Sequence, residues 1–308
     1  MAVINTIASK SAGCGGGAIN TGDLGCDISF GLVIHALGFA KGTVISKNVE
    51  LTLPLIEALI QKGDIIPLMD AFSSEPTMSE DTLETSPLGV EALTLKGLPK
   101  YALTMKKGQE YYKQMAKLTG FGNINYVLGD VNGNWKFAID GNGDFTGFTA
   151  GQTLAAITTP ATATETEKKT FTFQLTDRTQ IDSTYAVVEA ANAFPISNIT
   201  GVNGVEFSFA DANGAVVPAS GDVTLKVKAV LSSDRITDIE GLVLADFNTS
   251  AGTISAISDD GNGFYTLTVT ALTAGLLTVQ TKDATLGTDV ILNSNVLFKS
   301  SVLSATVA

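Results

Sequence analysis

The chain has 308 residues, with 31 acidic against 19 basic side chains and a formal net charge of -12. Hydrophobic residues make up 44% and charged residues only 16%, a composition that excludes intrinsic disorder. The length favours two domains. The longest uncharged apolar run, Ile28 to Ala40, is too short to span a bilayer, so no membrane insertion is expected. The acidic balance disfavours tight wrapping of nucleic acid, which needs clustered Lys and Arg, and leaves loose contact open.

One histidine and two cysteines remove most catalytic and metal-binding constellations. Any Ser/His/Asp triad would have to use His35, and His35 lies in ISFGLVIHALGF, where a packed or capped imidazole is expected. A four-ligand zinc site has too few ligands. The remaining enzymatic option is an acid pair of the glycosidase kind, and no convergent pair is visible. No enzyme activity, metal or cofactor is therefore expected.

At the N-terminus no positive cluster precedes an apolar core, so no secretory signal is expected. Cys14 and Cys26 flank GGGAINTGDLG, which fits either a loop-closing disulfide or a pair of ordinary thiols. Further on, short β-branched and aromatic stretches alternate with Gly, Asn, Asp and Pro. The class is mainly β. Two helices are predicted: Pro54 to Lys62, with Gly63 as its stop, and Gln109 to Thr119, stopped by Gly120.

Between them, SSEPTMSEDTLETSP at 73–87 lacks periodicity and reads as a long acidic loop or arm, as does TTPATATETEKK at 158–169. Strands are predicted at Val90 to Lys96 and Tyr101 to Lys106, joined by the turn GLPK, and then at Thr170 to Thr176 and Tyr185 to Ala190. The segment NINYVLGDVNGNWKFAIDGNGDFTGFT predicts a meander of strands 124–130, 135–139 and 145–149, with tight Asn-Gly corners at Asn132-Gly133 and Asn142-Gly143. Asp130, Asn132, Asn134 and Asp140, Asn142, Asp144 repeat the oxygen spacing of calcium loops. The sixth and twelfth positions do not fit, so hairpin turns are the expectation.

NAFPISNITG is a short linker that places a domain boundary at about 196, giving domains 1–195 and 196–308. Beyond it VEFSFAD, DVTLKVKAV, GTISAIS, FYTLTV, LLTVQTK and VILNSNVLF alternate apolar with polar residues, and DANG, DDGNG and LTAG punctuate them. A second β-sandwich is expected there.

On VEFSFADANGAVV, GLVLADF and NGFYTLTVTALTAGLLTVQT, the C-terminal part resembles bacterial Ig-like domains of invasin-type surface proteins and phage virions. Gly263, Tyr265, Thr266, Thr268, Val269 and Thr270 carry the match. Residues 25 to 190 resemble tail-tube subunits of tailed phages with Bacteroidetes-type hosts, in the order apolar segment, acidic loop, strand and helix (YALTMKKGQEYYKQMAKL), meander, then FTFQLTDRTQIDSTYAVV.

That resemblance implies a β-sandwich or barrel with one or two flanking helices, copies stacked as hexameric rings, and an outer Ig-like domain. It further implies a virion protein that contacts other virion proteins and lets DNA pass through its lumen, with weak contact to host-surface glycans as a further expectation. A capsid or head-decoration protein and a secreted Ig-like adhesin at the bacterial surface are the alternatives. The interface residues expected are Glu75, Glu80, Asp81 and Glu84 of the acidic arm and Ile28, Phe30, Leu32 and Ile34 of the apolar segment.

Overall fold

A computed structural model describes residues 30–85, 91–95, 97–121, 124–210, 216–217, 222–270 and 274–307. Cys14, Cys26, Ile28 and the DANG turn lie outside the described residues. The chain is mainly β and divides into two units, Met1–Ile199 and Thr200–Ala308.

In the first unit the order is β1 (Val33–Ala40), α1 (Leu53–Lys62), β2 (Ile65–Leu68), β3 (Ser73–Met78), β4 (Thr82–Thr85), β5 (Glu91–Leu95), β6 (Pro99–Met105) and α2 (Gln109–Ala116). There follow β7 (Gly120–Phe121), β8 (Ile124–Asp130), β9 (Trp135–Ile139), β10 (Phe145–Thr146), β11 (Ala150–Ala155), β12 (Lys169–Leu175), α3 (Arg178–Asp182) and β13 (Tyr185–Val188). One sheet runs β10-β9-β8-β1-β2, with β13 added against β9, and a second runs β3-β6-β12-β11-β7.

The core lies where the two sheets face each other. On β12 the alternation is strict: Phe171, Phe173 and Leu175 are buried, and Thr170, Thr172 and Gln174 point to the other face. Each such phenylalanine contributes about 2–3 kcal/mol by leaving water. Tyr126 stacks on Phe173 at 4.1 Å between ring centroids. Its hydroxyl is satisfied by Thr153 Oγ1 at 2.9 Å.

β1 is buried along most of its length because it is an interior strand between β8 and β2. Val33 and Ala36 belong to the inter-sheet core, while Phe39 meets Phe137 edge-on at 6.5 Å. A continuous apolar run is what a strand covered on both faces requires. The two predicted helices are present. α1 has Pro54 in its first turn and ends at Gly63, whose φ of 81° suits only glycine at low cost. α2 is α-helical to Ala116 and continues in i→i+3 turns to Thr119, burying Tyr112 and Met115. A third, α3, is one turn long and is capped by the Asp177 carboxylate on the Thr179 and Gln180 N–H groups.

Three expectations need correction. The acidic segment 73–87 is not a loop: β3 pairs with β6, and β4 pairs with β5. An edge strand with solvent on it needs no apolar alternation and tolerates Pro76, so periodicity could not reveal it. GLPK, expected as a turn between two strands, is not one, because Pro99 and Lys100 already belong to β6, which lies between β3 and β12. Finally, the Asn-Gly corners are not two-residue turns. Asp130 N–H bonds the Asn134 carbonyl and Gly133 N–H bonds the Asp130 carbonyl, and only Gly133, at φ 82°, takes the left-handed region. Asp140 to Asp144 repeats the pattern with Gly143 at φ 83°. Both are three-residue loops closed by a glycine bulge.

The second unit comprises β14 (Asn203–Phe209), β15 (Val216–Val217), β16 (Val223–Leu231), β17 (Phe247–Thr249), β18 (Thr253–Gly261), β19 (Phe264–Thr270), β20 (Gly275–Thr281), β21 (Val290–Asn293), β22 (Val296–Ser300) and β23 (Leu303–Val307). Its sheets run β18-β19-β16-β14-β22-β21 and β15-β23-β20-β17, with β14 parallel to β22 and β15 parallel to β23. VILNSNVLF, read as one segment, is a hairpin: Ser294 and Asn295 sit at φ 51° and 64°, the geometry of a tight two-residue turn. Tyr265, Leu267 and Val269 face the core, and Phe247 stacks on Phe207 at 5.6 Å. The Tyr265 hydroxyl donates to the Ile239 carbonyl at 2.8 Å and accepts the Leu242 N–H at 3.2 Å. Burial pushes its pKa up to about 12.

Candidate assembly surface

β3 and β6 form the two sides of a hairpin that continues past the second sheet. Their register runs from Ser73 opposite Thr104 to Met78 opposite Pro99, and beyond a short junction β4 and β5 resume pairing as a separate two-stranded ladder. The junction is built from specific contacts. Leu98 N–H bonds Ser79 Oγ at 2.9 Å, and Gly97 N–H bonds Asp81 Oδ1 at 2.6 Å. A Cβ on Gly97 would stand 1.9 Å from the Ser79 carbonyl oxygen, so only glycine lets the two strands cross there. Asp81 also pairs with Arg178, whose Nε bonds Asp182 at 2.9 Å. Arg178 on α3 thus braces the root of the arm, and its guanidinium is pushed above its usual pKa by the Asp81 and Asp182 carboxylates.

The predicted interface residues separate accordingly. Glu75, opposite Ala102 on β3, and Glu80 are exposed and make no ion pair among the described residues. Asp81 is engaged within the chain. Glu84 lies on β4 opposite Ala92. Phe30 and Ile34 pack against the inter-sheet core, whereas Leu32 is 50% exposed. Sequence reasoning missed Gly97 and Arg178. It also missed the exposed apolar residues along the arm, Phe72, Met78 and Leu83, each more than half exposed. Lys106 Nζ lies 3.4 Å from the centre of the Phe72 ring.

The outward face of the second sheet follows from the same registers. Ser73, Thr104 and Thr170 form one row, Glu75, Ala102, Thr172 and Leu154 the next, and Thr77, Lys100 and Gln174 a third. Small uncharged side chains dominate it, with one acidic and one basic residue. Within the first row the Thr104 and Thr170 hydroxyls hydrogen-bond at 3.2 Å.

The calcium-like turns bind their own chain. The fully buried Asp130 carboxylate accepts Gly31 N–H at 2.8 Å, Asn132 N–H at 2.9 Å, Asn134 N–H at 2.8 Å and Asn134 Nδ2 at 3.0 Å. Asn134 Oδ1 in turn accepts Ala190 N–H at 3.0 Å, and Trp135 Nε1 bonds the Phe194 carbonyl at 2.9 Å, so residues 190–199 are clamped to this turn. At the second turn Asp140 is held below its ordinary pKa by the Asp144 and Asn142 N–H groups, and Lys47 Nζ bonds the Asn142 carbonyl. Lys47 thereby places its positive charge against this turn, and its own backbone N–H bonds Asp144 Oδ1 at 2.9 Å. Among the described residues no group of three His, Cys, Asp or Glu could hold a metal ion, and no helix is long and apolar enough to cross a membrane.

No family model matches the chain, and no curated protein matches it. Among solved structures it is similar to SGBP-B of the Bacteroides ovatus mixed-linkage glucan utilization locus, solved with a mixed-linkage heptasaccharide. Identity is 15% and the TM-score 0.20, over 78% of this chain and 61% of that one. The chain thus spans under two thirds of that protein's length, and a likeness at this TM-score carries no argument about function.

Proposed function

We propose that this chain is an architectural subunit whose copies assemble through the β3–β6 hairpin arm, and that the assembly is a stack of rings forming a phage tail tube. The observation that carries the reading is the arm itself. β4 and β5 pair as a two-stranded ladder that joins neither sheet, and such a ladder is marginal in water unless it has a further surface to pack on. Exposed Met78 and Leu83 give it apolar side chains to bury, and Glu75 and Glu80 are free to pair with a neighbour's basic groups. Pro76 removes a donor from the open edge of β3, which favours side-chain packing over a continuous ladder at that strand.

The nearly neutral outward face of the second sheet suits a wall that DNA passes without sticking, because one Lys and one Glu offset each other. The second unit, a sandwich with its own core, is the part displayed on the exterior. In the virion the partners are further copies of this chain and neighbouring virion proteins.

Replacing residues 80–96 by a short Gly-Ser turn, while retaining β3 and β6, tests the reading. Negative-stain microscopy is expected to show rings or filaments for the full chain and none for the variant. Filaments that survive the replacement would contradict the role of the arm, and a closed shell lattice would contradict the tube.

A further inference from the structure

His35 is the only histidine of the chain, it is 3% exposed, and it sits beside a bulge of β1. Its Nδ1 accepts the backbone N–H of Asp70 at 3.1 Å, so this nitrogen carries no proton in the folded state. Asp70 lies in the crossover between β2 and β3 with φ 57°, a left-handed conformation that costs a non-glycine residue of order 1 kcal/mol or more unless its surroundings hold it. The accepted hydrogen bond helps to hold it, next to the Ala71 N–H on the Ile34 carbonyl at 2.9 Å and the Phe72 N–H on the Thr104 carbonyl at 2.8 Å. The Asp70 carboxylate is exposed, 3.7 Å from His35 Nδ1 and 3.2 Å from Lys107 Nζ, where the chain leaves β6 for α2.

We propose that His35 is a proton-operated latch on the β2–β3 crossover. A proton from solvent turns Nδ1 from acceptor into donor, which ejects the Asp70 N–H, and the Asp70 carboxylate leaves Lys107 to accept from the imidazolium. The charged groups facing the ring are Asp70 from the crossover, Asp130 from the end of β8 and Lys107 from the β6–α2 connection. Both carboxylates favour the charged ring and Lys107 opposes it. Burial outweighs the attraction and holds the imidazole below its ordinary pKa, so the latch stays shut at neutral pH and opens in mild acid. Since β3 begins three residues after Asp70, opening loosens the entry into β3 at the edge of the second sheet. The inference concerns the first unit alone and stands whether or not copies assemble.

Deuterium exchange at the imidazole C2–H, read by mass spectrometry on the full chain, reports the titration of this single histidine at any particle size. Backbone exchange of a peptide covering 65–72 is followed in the same samples between pH 8 and 4.5. The expected result is an imidazole midpoint below 6.5, with protection of the 65–72 backbone lost at the same midpoint after correction for intrinsic exchange. Lys107→Met raises that midpoint, and Asp70→Asn lowers it. His35→Asn, which offers an amide oxygen in place of Nδ1 and does not titrate, abolishes the pH response of the backbone. An imidazole midpoint at or above 6.5, or protection that ignores the midpoint or persists in its response in His35→Asn, would overturn the latch. If His35→Asn does not fold, the two wild-type curves decide by their coincidence.

Discussion

Truncating Asp130 to alanine is expected to be among the most damaging single changes in the first unit. Its buried carboxylate accepts four hydrogen bonds, from Gly31, Asn132 and twice from Asn134, and alanine leaves all four donors without it. An orphaned buried donor costs about 1–3 kcal/mol, and since turn amides recover some water the sum is about 3–6 kcal/mol. The only tryptophan of the chain, Trp135, is buried next to this turn, so its fluorescence follows unfolding of this unit and not of the second. With a urea slope of about 3 kcal/mol per molar, the midpoint falls by about 1–2 M. Asp140→Ala removes the same turn chemistry at a solvated site, and its midpoint shift is expected to be clearly smaller. Equal shifts for the two alanine variants, or an Asp130→Ala loss under about 1 kcal/mol, would refute the view that burial makes the first turn the anchor.

Other consequences are open to equally direct tests. Gly97→Ala forces apart the strands that cross at Ser79, so limited proteolysis is expected to cut the arm near residues 79–98 while Trp135 emission stays native. Tyr265→Phe leaves Leu242 N–H and Ile239 C=O unpaired in the second unit and is expected to cost about 1–2 kcal/mol, seen by calorimetry as a lower transition for that unit. His35 has a folded pKa below its unfolded value of 6.5, so the unfolded state binds the proton more readily. Stability is therefore full above pH 6.5 and falls as pH drops through 6.5 toward the folded pKa. Urea midpoints across that range are expected to decline for the wild type, and a decline of equal size in His35→Asn would refute the assignment. Deleting residues 200–308 is expected to leave filaments intact by electron microscopy.

Much of the fold is legible where burial writes a pattern into the residues. TFTFQLT and FYTLTVT alternate because each has one face on a core, and the two longer helices declare themselves through Pro54, Gly63 and the spacing of Tyr112 and Met115. Legibility fails where solvent removes the constraint. β3 carries Glu75, Pro76 and Thr77 because it is an edge strand, and its composition therefore reads as a loop. Most of the described apolar segment forms the interior strand β1 while Leu32, just ahead of it, is exposed, and a run without alternation does not separate core from surface. The arm-root pair between Asp81 and Arg178 joins residues 97 positions apart, which no local pattern encodes.

An architectural subunit must self-associate. Light scattering coupled to size exclusion, run over a wide concentration range at neutral pH and followed by negative-stain imaging, measures it most directly. Rings and filaments that grow with concentration are the predicted result. A monodisperse particle of 31.9 kDa at every concentration would contradict it.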